Sequence, residues 1–310
     1  MTDIGARIWS VYAARRAGFW LSYLRAKVAV LFEVRRPLFS FFLYELKYTL
    51  ANGLKAALPG AGWLPLWRGP ETIETRFGVF RVRPLTQDPA IISPAFERRD
   101  FDRLLGILAV RASARRPVLF VDIGANIGKF CVSVARCFRS RPVYCLAFEP
   151  VAANVAMLAE NIALNEIPAD RLIVRRTALH DHTGKTEMSL ALQSPGCSRL
   201  GVLAPDHVQE RVEAELSRLD DFDWRARFPA LAAARPLLVC KIDVEGSEVP
   251  VLAGGEKFFG EFAEVVLMVE DTENTGPLYA ELGRMKFAFT EKITPYNSWW
   301  SLIRRGEAER

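Results

Sequence analysis

From residue 118 onward, short apolar runs alternate with longer stretches whose apolar residues recur every third or fourth position. Val118–Val121, Val143–Phe148, Leu172–Leu179, Leu237–Ile242 and Ala263–Val269 have the length and continuous apolar character of strands buried on both faces. Between them, Lys129–Arg139 carries Phe130, Val134 and Phe138 at helical spacing, and Ala152–Asn165 carries Val155, Leu158 and Ile162. Val249–Phe259 and Pro277–Met285 predict two further helices, and Phe287–Ile293 with Ser298–Ile303 a closing strand pair. Residues 180–235 are less regular. Asp181–Gly184 reads as a turn, Thr186–Leu192 as a strand and Gly196–Pro205 as a polar loop. Val208, Val212, Ala214 and Leu216 fit strand alternation, while a helix through Glu210–Leu219 stays open. Upstream, Thr72–Arg83 alternates around Phe77-Gly78 and predicts a hairpin; residues 94–110 predict a helix, and Arg111–Pro117 a basic connector.

Strands alternating with helices imply an α/β protein with a doubly wound, mostly parallel sheet covered on both faces. Right-handed crossovers put every strand's carboxyl end on one edge, where ligands bind. Asp122, Glu149, Leu179, Asp243 and Glu270 fall at such ends. Four carboxylates gathered there mark a site.

Residues 1–58 follow another pattern. Aromatic residues such as Trp9, Phe19, Trp20, Phe39 and Phe42 are interrupted by Arg7, Arg15, Arg16, Arg25, Lys27, Arg35 and Arg36. The pattern predicts two or three helices, broken near Pro37 and ending by Gly53 or Pro59. No uncharged run exceeds eight residues, against the roughly 20 of a membrane span, so a transmembrane helix is not expected. No apolar core precedes a small-residue cleavage site, so no signal peptide is expected either. Residues 59–70 read as a linker, which divides the chain into a basic, aromatic-rich helical extension (1–70) and a larger domain (71–310). The net charge of +5 is uneven: nine of the Lys and Arg but only three of the acids lie in residues 1–60. Two readings of the extension stay open: a helical cap on the domain or a dimer mate, and a basic amphipathic segment on an anionic membrane surface or a partner. The near-neutral remainder argues against nucleic acid. Cys131, Cys145 and Cys240 sit in apolar runs and read as buried thiols of a reducing compartment, and His180 and His182 as a surface turn. The expected location is cytoplasmic, with the inner membrane surface as an option.

The chemistry centres on Asp122–Gly128, D-x-G-x-N-x-G, where an apolar run meets a helix. Gly124 removes Cβ at a sharp turn, and Gly128 lets helix and strand approach. Amides at the helix start suit an anionic group, here the carboxylate of an amino-acid-like cofactor. Glu149, at the end of the next strand, is placed to accept ribose hydroxyls. A dinucleotide loop wants G-x-G-x-x-G, and Asn126 stands at its second glycine, where a side chain crowds a pyrophosphate. S-adenosylmethionine therefore fits better than a nicotinamide dinucleotide, and a nicotinamide-dependent oxidoreductase is the second enzyme reading. A third reading is a membrane-associated, non-catalytic binding protein on a similar core.

Val121-Asp-Ile-Gly-Ala-Asn-Ile-Gly128, Ala147-Phe-Glu-Pro150, Leu164-Asn165, Thr177-Ala-Leu179, Leu219-Asp-Asp221 and Lys241-Ile-Asp-Val-Glu-Gly-Ser-Glu248 occur in this order. In these segments the chain resembles the FkbM-type S-adenosylmethionine-dependent methyltransferases, over roughly residues 75–272. The resemblance implies a class I methyltransferase (Rossmann-like) fold, with a seven-stranded sheet containing one antiparallel strand. It implies that Asp122, Gly124, Ala125, Asn126 and Gly128 surround the methionine part of the cofactor and that Glu149 holds the ribose. Pro150 would lie beside the adenine, Thr177, Ala178 and Leu179 would line its pocket, and Asp243 would sit near the reacting methyl. The expected activity is methyl transfer to an oxygen, hydroxyl or carboxyl, of a small molecule, glycan or lipid-linked acceptor. Asp243 and Glu245 are the candidate bases and Lys241 an orienting group, or Lys241 and Glu245 simply pair. Glu97 and Asp100 are candidates to close over the cofactor. No metal is required by this reading, although Asp243, Glu245 and Glu270 have the residue types to hold one. Glu248 and Glu264 read as surface charges.

Overall fold

A computed structural model describes residues 33–57, 68–191, 198–200, 210–272 and 275–304, with only the backbone described over 48–57. The helices expected before residue 33, and most of the Gly196–Pro205 loop, lie outside the described residues.

The first described strand, β1 (Val34–Arg36), pairs antiparallel with the expected hairpin, β2 (Thr72–Thr75) and β3 (Gly78–Arg81). A helix over Leu38–Ala57 follows Pro37 and runs through Gly53. Phe41 and Tyr44 join the main core, while Leu38, Phe39, Phe42, Leu43 and Leu46 stay exposed. Among the described residues no helix is long and apolar enough to cross a membrane.

The central sheet begins with β4 (Val118–Ile123), β5 (Val143–Phe148) and β6 (Leu172–Arg175). The chain then forms a second sheet from β7 (Ala178–Leu179), β8 (Gly184–Leu190), β9 (Arg199–Leu200) and β10 (Glu210–Ser217), in the order β7-β10-β8-β9. It returns through β11 (Leu237–Ile242), β12 (Glu264–Glu270), β13 (Ala288–Glu291) and β14 (Asn297–Ile303). The seven-stranded order is β13-β14-β12-β11-β4-β5-β6. β14 alone runs against its neighbours. This is the class I methyltransferase arrangement.

Both faces of the sheet are covered, so β4 and β11 are apolar except for Asp122 and Lys241 near their carboxyl ends. Val118 and Phe120 enter one core cluster; Leu119, Val121 and Ile123 enter the other. Leu237 and Val239 divide from Leu238, Cys240 and Ile242 in the same way. Fully burying each such side chain contributes roughly 1.5–3 kcal/mol. Exposed pairs such as Lys185–Glu213 are screened by solvent and add little, so the two cores set the stability.

Three expectations need correction. Leu172–Leu179 is not one strand: it bends at Thr177, whose Oγ1 contacts the Glu215 carbonyl and Ser217 Oγ, and Ala178–Leu179 pairs in parallel with Leu216–Ser217. Leu179 therefore leaves the edge of the central sheet. The helix expected over Val249–Phe259 divides at Gly254-Gly255 into Glu248–Ala253 and Glu256–Gly260, and Gly254 packs on the His180 carbonyl oxygen, 2.0 Å from where a Cβ would stand. Glu248 and Glu264 are not surface charges. Glu248 is buried, and Glu264 pairs with Arg111 and Arg116. The open question over Glu210–Leu219 resolves as strand over Glu210–Ser217.

Candidate functional site

The glycine loop leaves β4 at the carboxyl edge and enters the helix Lys129–Cys137. Gly124 has φ +83, and a Cβ there would lie 1.8 Å from the Asp243 carbonyl oxygen. The loop and the end of β11 are thus in backbone contact, which only glycine permits. Gly128 has φ +91, and its Cβ would meet Leu158 Cδ1 at 2.3 Å. Between them Asn126 is left-handed at φ +50, a conformation asparagine tolerates better than most residues. The amides of Gly124 and Ala125 donate to the Phe148 carbonyl, so β5 also holds the loop. Asn161 Nδ2 donates to the Ile127 carbonyl at 2.8 Å, and Asn165 brackets Val79 of the hairpin through both its carbonyl and its amide.

Asp122 Oδ2 accepts from the Cys131 amide at 3.0 Å, satisfying a donor in the first turn of the helix. Its Oδ1 and the Oδ1 of Asn126 are buried without a partner. Burial raises the Asp122 pKa, against the pull of Lys241. Glu149, 4% exposed, accepts from the Asn126 amide at 2.8 Å, the Val151 amide at 3.0 Å and Asn154 Nδ2 at 3.1 Å. A carboxylate has about four acceptor positions, so roughly one is left for a ligand hydroxyl. Burial raises its pKa too. Pro150 follows, half-buried, at the same edge. Ala178 and Leu179 are buried at the start of the second sheet, and Leu179 shares a core cluster with Phe148.

β11 brings the other half. The Asp243 amide donates to the Ile123 carbonyl at 3.0 Å. Lys241, almost wholly buried, places Nζ 2.5 Å from Asp243 Oδ2. Burial alone would depress the Lys241 pKa, but the carboxylates of Asp243, Glu97 and Asp122 outweigh it and hold the pKa above the usual lysine range. Lys241 pairs with Asp243 rather than with Glu245. Asp243, Glu245 and Glu270 place carboxylate oxygens within 4.8 Å of one another, a spacing at which acids share protons or one hard cation. Burial, reinforced by Asp243, pushes Glu245 up to about 8. Burial with repulsion from Asp243 and Glu245 pushes Glu270 up to about 10. Glu248 Oε1 accepts from the amides of Val244 and Gly246, fixing a turn in which Glu245 and Gly246 have φ +54 and +99. Glu245, Gly246, Glu248, Glu270 and Thr272 line a small, partly open cleft.

The structure therefore joins Asp122–Gly128, Glu149, Lys241, Asp243 and Glu245 at one edge, with Thr177–Leu179 beyond β6. Of the two upstream acids, Glu97 lies close enough to interact electrostatically with Lys241 and Asp243. Asp100 instead is an anchor, accepting from Trp299 Nε1 at 2.7 Å, Asn297 Nδ2 at 3.3 Å and Thr294 Oγ1. Two residues were not foreseen. Lys129 is buried beneath Phe96, Phe101 and Phe130, donates to the carbonyls of Ser93 and Phe96, and is pulled by burial down to about 7. Arg199 of β9 lies over Gly246, its Nη2 2.5 Å from where a Cβ would stand, and draws the Glu245 pKa down. The sequence signal for Lys129 is its place directly after Gly128 at the head of an apolar helix. Arg199 carries none.

The model of the Methyltransferase FkbM domain family matches residues 122–289, more than half of the chain. The methyltransferase sdnD of Sordaria araneosa is 29% identical over 178 residues, covering 50% of this chain and 67% of that protein. A crystal structure of methyltransferase FkbM from Methylobacillus flagellatus superposes with a TM-score of 0.41 at 17% identity, over 60% of this chain and 44% of that one. The chain thus spans less than half the length of that FkbM protein. The N-terminal domain of human METTL16 in complex with SAH gives 0.39 at 12% identity, over 94% of each chain. On the match over residues 122–289, the chain belongs to the FkbM methyltransferase family.

Proposed function

We propose that the protein transfers a methyl group from S-adenosylmethionine to a hydroxyl oxygen of a small-molecule, glycan or lipid-linked acceptor. One observation carries the reading. Gly124 packs on the Asp243 backbone, so a loop with orphaned buried acceptors and a cation-held carboxylate meet at one place. The residues fit the donor. Asp122 and Asn126, whose buried oxygens lack partners, would take its amino-acid end, and Glu149 a ribose hydroxyl. When bound, the sulfonium supplies an already activated methyl group. Asp243 would accept the proton of the acceptor hydroxyl, with Lys241 fixing its carboxylate. Glu270 and Glu245 are pushed towards their neutral forms and can donate hydrogen bonds. A base is needed only for an acceptor that carries a proton, as a hydroxyl does and a carboxylate does not, which favours the hydroxyl over the carboxyl.

Calorimetry with S-adenosylhomocysteine tests the donor site. Micromolar binding by the wild type, weakened at least tenfold in Asp122→Ala and Glu149→Ala, is expected. No binding to the intact protein, or variants indistinguishable from it, would sink the reading.

A further inference from the structure

Glu97 is held in an unusual way for a residue that precedes a helix. Its backbone is left-handed, φ 48 and ψ 31, a conformation that costs a non-glycine residue about 1–2 kcal/mol. Such strain persists only where surrounding contacts impose it. One contact is the side chain of Asn297, a fully buried residue of β14, whose Nδ2 donates to Glu97 Oε1 at 3.0 Å. A second is Lys129, which follows the glycine loop and ties down the segment before Glu97 through the Ser93 and Phe96 carbonyls. With Oε1 fixed, Oε2 is buried and has no partner. Asn297 pairs with Glu270, whose carboxylate lies within 4.8 Å of that of Asp243, and Lys129 heads the glycine loop's helix, so the Glu97 carboxyl lies between that helix and the end of β11. An unpaired oxygen on a buried carboxylate is costly until a cation or donor reaches it.

We propose that Glu97 Oε2 binds the α-ammonium of the donor's amino-acid end. This rests on the methyl-donor reading above and adds to it a residue upstream of the glycine loop. The amine of that end is its cationic group, and Glu97 would match it with an anionic oxygen that has no other partner. The Asn297 contact is what aims the free oxygen.

The test is a cycle of calorimetric affinities on the full chain. Wild type and Glu97→Gln are each titrated with S-adenosylhomocysteine and with its analogue lacking the α-amino group. The expected result is a loss of tenfold or more on removing the amine from the ligand in wild type, and less than twofold in Glu97→Gln. An equal loss in both proteins, or none in either, overturns the proposal. A merely structural role would weaken both ligands alike in the variant, which also counts against it. Glu97→Asp keeps the charge but withdraws the oxygen by one methylene, and gives the same contrast should the Gln variant not fold. If wild type binds neither ligand, the methyl-donor reading itself fails; if wild type binds and only the contrast is missing, this proposal alone fails.

Discussion

Replacing Gly124 by alanine separates the two halves of the site. The new Cβ would stand 1.8 Å from the Asp243 carbonyl oxygen, where ordinary contact begins near 3.4 Å, so loop and strand must part by about 1.6 Å. Alanine at φ +83 adds about 1–2 kcal/mol of backbone strain. The Asp243 amide to Ile123 carbonyl bond, 3.0 Å in the native chain, would be lost, at about 1 kcal/mol net. Together these cost roughly 2–3 kcal/mol, inside the 5–15 kcal/mol that holds a domain together, so the variant still folds. A shift above 1 Å between donor loop and base costs on the order of a hundredfold in rate. The assay is kcat/KM for methyl transfer beside a thermal melt. Gly106→Ala is the control: that glycine lies in the helix Arg98–Arg111 with nothing within 4 Å of its Cβ position, and gains about 0.5–1 kcal/mol of helix propensity. A Gly124→Ala protein with wild-type melting and kcat/KM within threefold of wild type would refute the contact and its role.

Other outcomes are equally specific. Glu245 and Glu270 have folded pKa values near 8 and 10, above the ordinary 4.5, so the folded state keeps their protons longer than the unfolded state does. The stability they contribute is present below pH 4.5 and is lost as pH rises through 8 and then 10. Glu270→Gln should therefore gain stability relative to wild type between pH 5 and 9 in denaturant titrations, and a pH-independent difference would contradict this. Lys129 has the opposite sign: with a folded pKa near 7, wild-type stability should rise relative to Lys129→Met from pH 7 to about 10. Asp100→Ala leaves Trp299 Nε1 unpaired in the interior and takes from Asn297 Nδ2 one of its two acceptors, Glu97 being the other, and should lower stability by about 1–3 kcal/mol; an unchanged melt would remove its anchoring role. The exposed row of Phe39, Leu43 and Leu46 bears on the membrane-surface option for the N-terminal segment. Salt-sensitive co-sedimentation with anionic vesicles, reduced in Phe39→Ser, is the outcome that option requires.

The central sheet was readable because β4, β5 and β11 are buried on both faces, so their runs carry no competing pattern. Asp122, Glu149, Asp243 and Glu270 were readable as a group because chain direction alone puts strand ends together. What escaped depends on contacts between distant residues. The bend at Thr177 is set by β10, some 40 residues later. Glu248 looks solvent-facing in a helix start, and only the left-handed turn at Glu245-Gly246 brings backbone amides to it. Asp100 meets Asn297 across 197 residues, a pairing no local spacing announces. Lys241 and Glu245 are four apart and suggest a pair, yet Lys241 turns to Asp243 because both belong to the strand end that packs on the glycine loop.

The most direct measurement follows label from methyl-labelled S-adenosylmethionine into an extract rich in hydroxyl-bearing acceptors, with wild type and Asp243→Asn compared. The account predicts a labelled product that survives mild alkali, as a methyl ether does, and at least a hundredfold slower formation with Asp243→Asn. Label released by alkali as methanol would mark a methyl ester and contradict the hydroxyl assignment. No transfer by wild type, or equal transfer by the variant, would contradict the account of the site.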